Sequence, residues 1–186
     1  LSHVYPLGSR VNERGHLEVG GCDAVELARE FGTPAYVVAE DDIRERARAY
    51  LAAFAAAGQH DFDVLYASKA FPATAVYRLL AEEGLSCDVA SGGELHLALR
   101  VGFDPARVYL HGNAKDDGEL AMAIEAGIGQ IVIDSFDEID RLDRLVQGRQ
   151  HDVQARQDVF GQIERAVRQD VHFDAVQDRD SRDALP

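Results

Sequence analysis

From about residue 35 to 146 the sequence alternates short apolar runs of β type with segments of helical periodicity, in units of about 20 to 28 residues. Units that short and regular predict buried parallel strands with covering helices. Residues 35–38 read as the first strand. A helix from Asp41 follows, with Ile43, Ala47, Leu51 and Phe54 returning on one face until Gly58 stops it. Residues 62–67 read as the next strand, before a helix that carries Val76, Leu79 and Leu80 and ends at Gly84. Residues 87–90, 107–110 and 131–134 continue the series. Ser91 is placed to cap a helix running to Gly102, and Asp116 or Asp117 to start one stopping at Gly127. Ser135 with Glu138 has the spacing of a capping box for a helix through Val146.

Two architectures use such units, the doubly wound open sheet and the eightfold (β/α) barrel, and periodicity does not choose between them. The four units after the first helix would make half a barrel, leaving two open strand edges and an uncovered apolar interior. Missing sequence is therefore expected, and the first residue, Leu1 rather than Met, points the same way. After Val146 the composition shifts to Gln, Asp and Arg. Phe160, Ile163 and Val167 are spaced for one weak helical face, so residues 147–186 are expected to be an atypical polar tail, frameshifted or disordered.

A net charge of -14 repels phosphate backbones and anionic membranes, which makes small molecules the expected partners. Only Cys22 and Cys87 are present, without CxxC spacing, so neither a disulfide framework nor a bound metal is suggested. With no long apolar run and no leader-like start, a cytoplasmic location is expected.

The chain has only two lysines, Lys69 and Lys115. Lys69 follows the strand ending near Ser68, so its amine would emerge at the strand's C-terminal end, where (β/α) barrels place their chemistry. Partial desolvation there would make it a nucleophile toward a carbonyl. By spacing alone, a surface lysine at a loop start is the plainer reading. Asp88 sits inside an apolar strand and needs either a cationic partner or an outward orientation. Gly92 and Gly93 open a helix and could either admit a ligand close to the backbone or simply satisfy local packing. His111 and Asn113 offer polar groups at the next strand's end, with a turn role for Asn113 equally open. His96 is expected on an exposed helix face, Cys87 in the core and Lys115 in solvent.

Tyr66-Ala67-Ser68-Lys69-Ala70 resembles the lysine motif of the pyridoxal-phosphate enzymes built on an alanine-racemase-type barrel. Asp88-Val89-Ala90-Ser91-Gly92-Gly93-Glu94-Leu95 is similar to a segment of the diaminopimelate decarboxylase family. His111-Gly112-Asn113-Ala114-Lys115, Val132-Ile133-Asp134-Ser135 and the upstream Phe31-Gly32-Thr33-Pro34-Ala35-Tyr36-Val37 resemble further segments of it, in register.

The resemblance implies a partial (β/α)8 barrel of the alanine-racemase type, truncated after about four units. It implies residues 1–35 as a piece of the family's second, β-rich domain and 36–146 as the first half of the cofactor-binding barrel. Pyridoxal 5'-phosphate is the implied cofactor, with Lys69 holding it and Asp88 as its electrostatic neighbour. Ser91, Gly92, His111 and Asn113 are implied to line the same site. The implied activity is decarboxylation of meso-diaminopimelate to L-lysine by a homodimer. The family's glycine-rich phosphate loop, ring-stacking histidine, Glu-Pro-Gly-Arg segment and partner cysteine do not occur in the sequence, so the chain alone is expected to be inactive. The alternatives are an ornithine- or arginine-type decarboxylase, a racemase, whose pattern fits less well after Lys69, and a non-catalytic pyridoxal-phosphate-binding protein.

Overall fold

A computed structural model describes residues 4–58 and 62–147. The expectations for the tail, including the helical face of Phe160, Ile163 and Val167, lie outside the described residues apart from Gln147. At the N-terminal end, Arg10–Val11 (β1), Leu17–Val19 (β2) and Cys22–Asp23 (β3) form a small antiparallel sheet in that order. Asp23 closes β3 and also caps Ala24–Phe31 (α1), its carboxylate accepting from the amides of Val25 and Glu26.

The larger part is built on four parallel strands, Leu65–Ala67 (β4), Ser86–Val89 (β5), Val108–Leu110 (β6) and Gln130–Ile131 (β7), hydrogen-bonded in chain order. Glu40–Ala56 (α2) precedes them, and Thr74–Glu82 (α3), Gly92–Val101 (α4), Asp117–Ala126 (α5) and Phe136–Gln147 (α6) follow each strand in turn. Parallel pairing forces each connection to cross over, and the helix that makes the crossing supplies the cover.

Strand register divides the side chains between two faces. Tyr66 pairs with Cys87 and Cys87 with Val108; Val89 pairs with Leu110 and Leu110 with Ile131. This row meets the helices, and Cys87, Val89, Val108 and Leu110 are fully buried against Tyr77, Leu80, Leu95, Ala98 and Ala123. Burial pushes the Cys87 thiol up to about 12, helped by the nearby Asp88 and Glu94 charges, so it is a protonated packing residue as expected. Both cysteines are free thiols.

The other face carries Leu65, Ala67, Ser86, Asp88, Tyr109 and Gln130. The uncovered face is thus mostly polar, not the apolar interior expected. Its lower end is held by Asp63, whose carboxylate accepts from Ser86 Oγ at 2.8 Å, Tyr109 OH at 2.9 Å and Arg107 at 3.2 Å.

Two further expectations are corrected. Residues 35–38 form no strand; Tyr36 is 94% exposed, and the outer edge of β4 is unpaired among the described residues. An apolar, β-branched run reports a preference for a pleated half-buried surface, whereas a strand also needs a neighbour's amides and carbonyls. The strands themselves are shorter than the apolar runs, most clearly at residues 131–134, where β7 ends at Ile131 and Val132 N–H still reaches Leu110 O at 2.9 Å. Among the described residues no helix is long and apolar enough to cross a membrane, and no cluster of three or more His, Cys, Asp or Glu could hold a metal.

Desolvation raises the Asp63 carboxyl, but the bonds from Ser86, Tyr109 and Arg107 outweigh it and hold the group below its ordinary value. A depressed folded-state value gives stability that is present above the unfolded value of about 3.9 and lost as pH falls through the folded one. Asp63→Asn is therefore expected to cost on the order of 1 kcal/mol or less near neutrality, because the side chain is a third exposed. Urea unfolding followed by circular dichroism should show a smaller loss of stability from about pH 7 to about pH 3 in the variant than in the parent.

Candidate functional site

The C-terminal ends of β4, β5 and β6 bring Lys69, Asp88 and His111 to one rim. The local sequence explains how. Ala67 ends β4 in register with Asp88, and the chain then tightens into a 3-10 turn over Ser68–Ala70, so Lys69 leaves the sheet at the level of the β5 carboxylate. Asp88 is in turn paired with Tyr109, two residues before His111. The His111 amide continues the ladder by donating to Val89 O at 2.7 Å, and its Nδ1 lies 3.6 Å from Asp88 Oδ1.

Lys69 is exposed, in place of the partly desolvated setting considered and as the plainer reading by spacing had it, and its side chain makes no ion pair or hydrogen bond among the described residues. Asp88, expected to face that cation, instead has the His111 imidazole beside it. The rim thus presents an amine unpartnered among the described residues, a half-buried carboxylate and, beside that carboxylate, an exposed imidazole. An amine left unpartnered at the open end of a parallel sheet can condense with an aldehyde, so the residues present fit the aldehyde end of pyridoxal phosphate.

The remaining candidates divide. Ser91 caps α4, its Oγ accepting from Glu94 N–H at 3.3 Å. Gly92 is buried, and its amide donates to Glu119 Oε1 at 2.6 Å. A Cβ there would stand 3.1 Å from Glu119 Cγ, so this glycine admits a neighbouring side chain. Asn113 and His96 are exposed.

Three groups were not anticipated. Glu94 accepts from Ser68 Oγ and from Ala90 N–H at 2.8 Å, which ties the residue next to Lys69 to the end of β5. Glu119 does the same between the starts of α4 and α5, accepting from Gly92 and, at 3.1 Å, from Asp116 N–H. Lys115, expected in solvent, is buried and paired with Glu138 at 2.9 Å. The signal was present: Ser91/Glu94 and Asp116/Glu119 repeat the spacing recognised only at Ser135/Glu138. At that third site the box is half formed, since Glu138 N–H donates to Ser135 Oγ at 3.2 Å while the carboxylate accepts from Asp134 N–H and faces Lys115.

Comparison with known sequences gives the chain its class. The family model for the pyridoxal binding domain of the pyridoxal-dependent decarboxylases matches residues 40–173, and the chain belongs to that family. Within it, the chain is 50% identical over 145 residues to the diaminopimelate decarboxylase of Bacillus subtilis (strain 168), and 49% over 147 residues to that of Actinosynnema pretiosum subsp. auranticum. Those matches take in 78% and 79% of this chain but 33% and 32% of the relatives, so it spans about a third of the length of the curated relatives it matches.

Among solved structures, diaminopimelate decarboxylase from M. jannaschii in co-complex with L-lysine superposes with a TM-score of 0.71 at 35% identity, over 75% of this chain and 33% of that one. Lysine/ornithine decarboxylase from Vibrio vulnificus, complexed with putrescine, gives 0.56 at 27%, over 64% and 32%. The four parallel units are accordingly part of a (β/α) barrel of this type.

Glu94→Ala is expected to leave the buried Ser68 hydroxyl and the Ala90 amide without their acceptor, at a cost of about 1–3 kcal/mol. Chemical unfolding measures the loss, and amide exchange should rise at Ala90, whose N–H loses its acceptor, ahead of the core strands.

Proposed function

We propose that this chain supplies the cofactor-anchoring part of an enzyme that removes carbon dioxide from meso-diaminopimelate to give L-lysine. The observation that carries the reading is the unpartnered Lys69 amine at a parallel strand end, within a sequence about half identical to diaminopimelate decarboxylases. Pyridoxal 5'-phosphate, when bound, supplies an electron-accepting ring next to the bond that loses carbon dioxide.

The chain's own residues hold and orient. Lys69 carries the cofactor through its amine. Asp88 provides negative charge at the same rim, with His111 beside it to hold or share a proton. Glu94 fixes the turn that aims Lys69 by gripping Ser68. Ser91 and Gly92 act one step back, setting the start of α4 at the edge of the site. Asn113, exposed on the loop after β6, lines its outer side.

We assign residues 1–35 to a second domain completed by sequence outside this chain, and the working enzyme to a cytoplasmic homodimer. By itself the chain is proposed to bind the cofactor without competent turnover. Incubation with pyridoxal phosphate is expected to give the visible absorbance of a lysine-held cofactor, abolished in Lys69→Ala, with no measurable carbon dioxide released from diaminopimelate. Equal absorbance in the variant would overturn the anchoring role. Robust release by this polypeptide would overturn the division of labour.

A further inference from the structure

We propose that the buried Lys115–Glu138 pair is a positioning device, which sets the His111–Asp88 pairing by locking the ends of β6 and β7 together; this rests on the reading that the rim is the functional site. Lys115 has three N–H donors, and three acceptors face them: Gly112 O, Val132 O at 2.9 Å and Glu138 Oε1 at 2.9 Å. Each comes from a different place, the loop after β6, the residue just past β7 and α6. The pair is almost fully enclosed, at 1% and 2% side-chain exposure.

A buried ion pair is a costly way to hold a fold, and an apolar pair of similar volume commonly does it as well or better. The ammonium does one thing that an apolar pair does not: it fixes the direction of two main-chain carbonyls. One of them belongs to Gly112, the residue directly after His111. Gly112 has a φ of +101°, and a Cβ there would lie 2.8 Å from Ala90 O, so the loop runs hard against the end of β5. Asp88 is two residues before that contact. His111 is thereby held between the Val89 carbonyl, which takes its amide, and a loop whose next carbonyl is gripped by Lys115. Glu138 completes the lock by also accepting from Asp134 N–H at 2.9 Å, and Arg141 adds a bond to the Lys115 carbonyl at 2.7 Å.

The test needs no cofactor, so its outcome is separable from that of the anchoring reading. The imidazole 13C and 15N signals of His111 are recorded in the whole chain, assigned with His111→Gln, for the parent, Asp88→Asn, Lys115→Met and the double variant Lys115→Met/Glu138→Leu. Lys115→Met is expected to move the His111 signals toward those of Asp88→Asn, although it alters nothing bonded to the ring. Amide exchange at His111 and Val132 is expected to quicken by about tenfold or more. The double variant, which buries no lone charge, is expected to fold by circular dichroism and show the same displaced signals.

His111 signals at parental positions in the folded double variant would overturn the proposal. So would failure of both Lys115 variants to fold, because the pair would then hold the fold and not the rim.

Discussion

Each of the last three strand-to-helix turns is fastened by a glutamate that faces two ways. Glu94, Glu119 and Glu138 all stand three residues after the cap of their helix, and each sends its carboxylate back to the turn of the preceding unit. The partners differ, being a hydroxyl, an amide and an ammonium, but the geometry repeats. A parallel sheet controls the spacing of its strands through main-chain bonds, yet leaves the loops at its C-terminal edge free to diverge. The glutamates remove that freedom at the rim that carries Lys69, Asp88 and His111. Main-chain pairing gives the row Ala67, Asp88 and Tyr109; the braces carry that order past the last paired residue.

Much of this was legible in the residues. The strand-helix alternation predicted parallel pairing and the crossover helices, and Ser91, Gly102, Asp116 and Gly127 stand where their cap and stop roles required. Cys87 and His96 also lie where pattern put them. Local chemistry determines such features, so local sequence reports them.

What was not legible depended on distant partners. Residues 35–38 have the composition of a strand but pair with no strand among the described residues. Lys115 sits in a Lys-Asp-Asp run that suggests solvent, and only the fold reveals the carboxylate of Glu138, 23 positions further on, closing over it. Asp88 was readable as a charge in need of a partner; that the partner in reach is His111 and not Lys69 follows from register. The glutamate braces fall between these cases. Their spacing was visible, but the second half of each interaction lies in another unit.

The two lysines have opposite settings, and the proposed function rests on the contrast. Lys115 has every donor satisfied in a closed interior, whereas Lys69 stands open at the rim without an ion pair or hydrogen bond among the described residues. Only the second is free to hold an aldehyde. The most direct measurement is therefore to add pyridoxal phosphate, reduce with borohydride so that the cofactor is trapped on whichever amine holds it, and map the labelled peptide by mass spectrometry. The label is expected on Lys69, with Lys115 unmodified; label on Lys115, or none on any lysine, would contradict the assignment.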